Sequence, residues 1–210
     1  GAQVDGWLGD TATTVEVGTR NWQSLIQASE RALQQALEVA QDGVSVGTIG
    51  GVVGRSIKET GFHPVVNLSG HEMKRYNLHA GLSIPNYDDG TLTKVRGNML
   101  LAIEPFATNG QGQVSNGRSG NIYRVLRDRP LKDPEADRLF QLIKQEFTTL
   151  PFCERWCDRL QPNSGPVLRT LHRHGVISTY PVLIETKQGM VSQAEHTILV
   201  GNGHGEITTS

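Results

Sequence analysis

Cysteine is the scarcest informative residue here: Cys153 and Cys157 are the only two in 210 residues. Two thiols are too few for a structural zinc site. Four apart in a segment read as one helix, they are also poorly placed for a disulfide, so both read as small buried apolar residues. No apolar run approaches the ~20 residues that a membrane span needs. The chain does not open on the charged, apolar and small-residue succession of a signal peptide. Neither sign of charge dominates, with 20 Lys and Arg against 21 Asp and Glu and a net charge of −1. Composition therefore gives no ground for a nucleic acid or an anionic membrane as main partner. No glycine fingerprint for a dinucleotide follows a first strand. The glycines at 47, 50, 51 and 54 lack the Lys-Ser/Thr ending of a phosphate loop and read as close helix packing. The expectation from these absences is a cytoplasmic protein with no membrane and no specific nucleic-acid partner.

What the chain does contain is a mixture of strand and helix patterns. Residues 1–16 alternate around Asp5-Gly6, which reads as a hairpin turn. Residues 21–42 repeat apolar positions at helical spacing and stop at Gly43; residues 48–60 do the same and stop at Gly61. Short strands are expected over 64–68 and 98–105, with loops at 86–90 and 109–121. Asp133-Pro134 reads as a helix cap followed by proline at the first helical position, opening a helix to about Phe147. Helices over 151–160 and 165–174 follow, then strands over 176–185, 190–200 and 206–209, with His204 exposed in the last turn. The charged face with Arg155, Arg159, Arg169, His172 and Arg173 reads as solvated surface.

The chemistry-bearing stretch is Leu68 to Asn86, which sets His71 and His79 eight residues apart, each near a glycine. A lone histidine is more often a hydrogen-bonded structural residue than a ligand. Three isolated acids in apolar surroundings change that reading: Asp10, Glu104 before Pro105, and Glu195. A buried carboxylate needs a partner, and one shared divalent cation serves several. Asp5, before a turn glycine, reads as turn-forming.

Four blocks in order, Gly70-His71, Leu78-His79-Ala80-Gly81 with Ile84-Pro85-Asn86, Ala102 to Thr108, and Gln193-Ala194-Glu195-His196-Thr197, resemble the signature of the type II methionine aminopeptidases, most closely the archaeal form. The resemblance covers the whole chain. It implies an α/β (α+β) pita-bread fold with a core over 1–129, a helical insertion over 130–175 and closing strands over 176–210. It implies removal of N-terminal methionine by a water activated between two divalent ions (Co, Mn, Fe or Zn), with Asp10, His71, Glu104 and Glu195 at one metal position and Asp10 and Glu195 bridging. By the same resemblance His79 contacts the substrate carbonyl, Glu104 also moves protons, and Leu78, Pro151 and Tyr180 wall the methionine pocket. The partners are Met-peptides, including nascent chains at the ribosome. A further metal Asp is expected two residues upstream of Gly1, roughly across the hairpin from Asp10, and a further His also upstream. The chain thus reads as part of a larger protein, with that segment either upstream or on another chain, and is expected to bind one metal tightly. A prolidase-like peptidase and a non-catalytic pita-bread binding module are the alternatives. The His-Ala-Gly block and the helical insertion weigh against the first, and the intact ligand positions against the second.

Overall fold

Asp5 and Gly6 both take positive φ, 49° and 82°, the backbone of the tight turn that matches strand twist. They join β1 (Ala2–Val4) to β2 (Trp7–Gly9), which pair antiparallel with Ala2 opposite Gly9. The computed structural model describes residues 1–201 and 205–209. The expected exposed turn at His204 lies outside them.

The chain divides into two compact units, residues 1–115 with 184–210, and residues 116–183. In the first, α1 (Gln23–Val39) and α2 (Val46–Glu59) cover the sheets. Their apolar stripes, Leu25, Ala32 and Ala36 from α1 and Ile49, Val53 and Ile57 from α2, share one core with Leu101, Ile103 and Ile198. Ser45 caps α2, accepting the Thr48 N–H at 3.1 Å, as a helix N-terminus with orphan donors requires. The α2 glycines serve packing. A Cβ on Gly50 would stand 2.3 Å from the Tyr87 carbonyl oxygen, so only glycine lets the 85–91 segment approach.

The central sheet has the order β13 (Glu206–Ile207), β12 (His196–Leu199), β6 (Leu100–Ile103), β4 (Ser69–Met73), β5 (Ser83–Pro85). A second sheet runs β11 (Val191–Gln193), β7 (Phe106–Thr108), β3 (His63–Pro64). The strand expected over 64–68 is therefore only His63–Pro64, and His71 sits in the separate strand β4. The strands expected over 98–105 and 190–200 are each broken, at Glu104-Pro105 and at Ala194-Glu195. Pro105 has no N–H to give to a ladder, and the partner strand breaks where that donor is missing.

The unit 116–183 carries the sheet β10 (Ile177–Glu185), β8 (Val114–Val125), β9 (Phe152–Cys153) and three helices, α3 (Pro134–Phe147), α4 (Glu154–Leu160) and α5 (Ser164–Arg173). It is wider than the expected 130–175 insertion because the helices pack on strands, with Phe140, Leu168 and Leu171 against Phe152, Tyr123 and Ile177. Residues 114–121, expected as loop from their glycines, are strand. Gly120 is needed there, since a Cβ would stand 2.6 Å from the Tyr180 carbonyl oxygen. Asp133 caps α3 as expected, accepting from Glu135 N and Ala136 N. The two cysteines do not share a helix: Cys153 ends β9 as the cap residue of α4 and is half-buried, whereas Cys157 is fully buried.

The hairpin turn gives a direct test. Gly6→Ala forces a side chain into the left-handed region and against the Tyr76 ring, 2.4 Å from its nearest carbon. The expected loss is about 1–2 kcal/mol of unfolding free energy, read from chemical denaturation. An unchanged midpoint would show that this turn tolerates a side chain.

Candidate metal centre

The two strand breaks lie opposite each other. Ile103 pairs with His196 on one side of the gap and Phe106 with Gln193 on the other. Glu104 and Glu195 occupy the interruption between the two sheets, where neither belongs to a ladder of its own sheet. On the central sheet, His71 and Thr197 are both directly opposite Ala102. Opposed residues share a face, as do residues two apart, so His71, Thr197 and Glu195 project to the side of Ala102, a small residue that leaves room between them.

Asp10 is brought to this face by backbone pairing. The Thr197 hydroxyl accepts the Asp10 N–H and donates to the Asp10 carbonyl, both at 2.8 Å. The next residues bind to the 193–195 segment: Thr11 Oγ1 donates to the Glu195 carbonyl, Ala12 bridges Glu195, and Thr14 Oγ1 donates to the Gln193 carbonyl. Extending the hairpin register one step sets Gly1 opposite Asp10, its nitrogen 3.5 Å from Oδ1.

Asp10, His71 and Glu195 each bring one ligand atom within 4.8 Å of the others. Ligands bonded at about 2.0–2.2 Å to one ion stand somewhat closer together than that, so small side-chain rotations suffice and the three residues fit a divalent cation. Glu104 stands at the edge of this triangle. Its Oε1 is 3.6 Å from His71 Nε2, and its Oε2 accepts from the Gln193 amide at 3.1 Å. The same amide reaches Glu195 Oε2 at 3.4 Å. His79, the other sequence candidate, has its ring 4.4 Å from that of His71 and is exposed. Leu78 beside it is half-buried. Pro151 and Tyr180 belong to the unit 116–183, where Tyr180 lies under the Arg124 guanidinium.

Electrostatics marks the cluster as short of positive charge. Burial, then the neighbouring Glu195 and Asp10 carboxylates, push Glu104 up to about 9. Burial and Asp10 push Glu195 to about 7. Burial, then His79, hold His71 below the usual histidine range, so its imidazole is neutral and available as a ligand at neutral pH. Gln193 and Thr197 lie in the signature block around Glu195, whereas Thr11 and Thr14 carry no signal in the sequence beyond β-branched strand composition.

The profile of metallopeptidase family M24 matches residues 1–202. The chain belongs to this family. It is 42% identical over 209 residues to a methionine aminopeptidase of Methanocaldococcus jannaschii, with 100% of this chain and 70% of that protein covered. It is 43% identical over 212 residues to one of Pyrococcus abyssi, covering 100% and 72%. Among solved structures, a thermophilic Arx1 superposes with a TM-score of 0.76 at 17% identity, over 95% of this chain and 62% of that one. The methionine aminopeptidase of Thermotoga maritima does so with 0.61 at 21%, over 96% and 58%. The fold is therefore the pita-bread architecture of M24 proteins.

The raised carboxyl values fix a sign. In the metal-free fold, Glu104 and Glu195 bind protons more tightly than in the unfolded chain. Their contribution to stability is complete below the ordinary value of 4.5 and is lost as pH rises through about 7 and about 9. Metal-free chain is expected to melt at progressively lower temperature across that window. A bound divalent ion, which favours the charged carboxylates, is expected to flatten the decline. Melting curves in EDTA and in Mn(II) check this, and superimposable pH profiles would contradict it.

Proposed function

We propose that this chain carries the catalytic centre of a metal-dependent methionyl aminopeptidase, acting in the cytoplasm on N-terminal methionine of peptides and of nascent chains. The observation that carries the reading is the gathering of Asp10, His71 and Glu195, with Glu104 beside them, at the break between two sheets. It comes in a chain 42–43% identical to methionine aminopeptidases. The donor set of carboxylates and one imidazole suits Mn(II), Fe(II), Co(II) or Zn(II). When bound, such an ion supplies an acidified water and positive charge for the substrate carbonyl.

The chain's own residues divide the remaining work. Asp10, His71 and Glu195 hold the ion, with Glu104 completing the position from His71's side. The half-buried Gln193 amide binds Oε2 of both glutamates and leaves their other oxygens free for the cation. Glu104 can carry a proton on a carboxyl oxygen and hand it to the departing amine. His79, exposed beside His71, offers a ring N–H to the carbonyl oxygen as negative charge builds there. Leu78, next in the chain to His79, contributes apolar surface for the thioether side chain. Pro151 and Tyr180, which the resemblance also assigns to the methionine pocket, belong to the unit 116–183.

Two measurements test the assignment. Mn(II) titrated calorimetrically into metal-free folded chain is expected to show one tight site, abolished by Glu195→Gln; two sites of equal affinity would contradict the ligand set. His79→Ala is expected to lower kcat for Met-Ala-Ser by about 10²–10³ without weakening Mn(II) binding. Full activity in that variant would remove His79 from the mechanism.

A further inference from the structure

The chain's net charge of −1 conceals a segregation that the division into units makes visible. Residues 116–183 hold eleven Lys and Arg against seven Asp and Glu, a balance of +4. The rest of the chain holds the remaining nine against fourteen, a balance of −5. Within the basic unit, a cavity of about 640 Å³ opens between α5 and the β8 and β10 strands, and Arg169, His172 and Arg173 line one wall. Arg169 and Arg173 are one helical turn apart and so share a face, and His172 flanks them. The facing wall brings the hydroxyls of Ser119 and Thr179.

We propose that this cavity is a binding site for a phosphate-bearing ligand. Basic residues in a last helical turn are favoured by the helix dipole alone, and a solvated face would need no further account. One observation goes beyond that. The arginines line a concave wall opposite residues that carry hydroxyls, whereas a merely solvated face needs no facing wall. Arg173 donates to the Thr170 hydroxyl at 3.0 Å. Arg169 and the Glu154 carboxyl both approach Gly165, and Glu154 accepts the Tyr123 hydroxyl at 3.2 Å. Two guanidiniums with hydroxyls across from them are the donor set that a tetrahedral oxyanion takes, through paired N–H···O bonds.

The chemistry is shared by small phosphorylated compounds and by a nucleic-acid backbone, and the experiment separates them. Pyrophosphate is titrated calorimetrically into the full chain, with and without Mn(II), at low salt. One equivalent is expected to bind, and Arg169→Gln with Arg173→Gln is expected to weaken it by about tenfold or more. The double variant Arg155→Gln with Arg159→Gln changes the charge equally in the same unit, at residues outside the cavity lining, and is expected to leave binding intact. A short single-stranded RNA that competes with pyrophosphate and binds more tightly would assign the site to a nucleic-acid backbone. An RNA that fails to compete would assign it to a small phosphorylated ligand. No binding at millimolar pyrophosphate, binding only in the presence of Mn(II), or equal weakening by both double variants would overturn the site. Circular dichroism melts of all variants separate lost binding from lost fold.

Discussion

Carboxylates pressed against one another in a place with little water are the constraint on which this structure turns. Asp10, Glu104 and Glu195 come from three distant parts of the chain, and two of them are raised well above their ordinary values by burial and mutual repulsion. Such a grouping is costly unless a cation relieves it or protons neutralise it. The surrounding fold supplies what holds it in place. Pro105 interrupts one strand pair, so that Glu104 and Glu195 face each other across a gap. Thr197 clips Asp10 to the sheet through both of its backbone groups. Gln193, whose amide touches both glutamates, is fixed through its own backbone to Thr14. A neutral amide suits that position because its own charge does not change with pH, where a cation would compete with the metal.

The parts of this arrangement legible in the sequence were those with local causes. The Asp5-Gly6 turn, the cap at Asp133 and the glycine stops at Gly43 and Gly61 depend on a few adjacent residues, and all keep positive φ or a capping bond in the fold. The candidate ligands were legible because an isolated acid in an apolar stretch needs a non-local partner. What was not legible depended on partners far along the chain. The 114–121 segment is rich in glycine and polar residues, yet it is strand because β10 lies alongside it. Glu104 sits at the rim of the ligand triangle, a displacement decided by the Gln193 amide 89 residues away. Cys153 and Cys157 have helical spacing, but Phe152 buries itself as strand and moves the helix start to Glu154.

Charge carries a similar lesson at larger scale. A sum near zero excluded a general electrostatic partner for the whole chain, yet the sum joins an acidic unit that gathers carboxylates at a candidate cation site and a basic unit that carries a concave cluster of arginines. Whole-chain net charge reports solubility and long-range steering. The recognition chemistry is set within each unit.

Anomalous diffraction from a Mn(II)-soaked crystal tests the central claim most directly. A single strong peak is predicted at the break between the sheets, within about 2.0–2.5 Å of side-chain atoms of Asp10, His71 and Glu195, with Glu104 turned toward it and the Gln193 amide still on the glutamates' outer oxygens. A peak elsewhere, or none at that position in crystals whose Asp10, His71 and Glu195 stay together, would contradict the account.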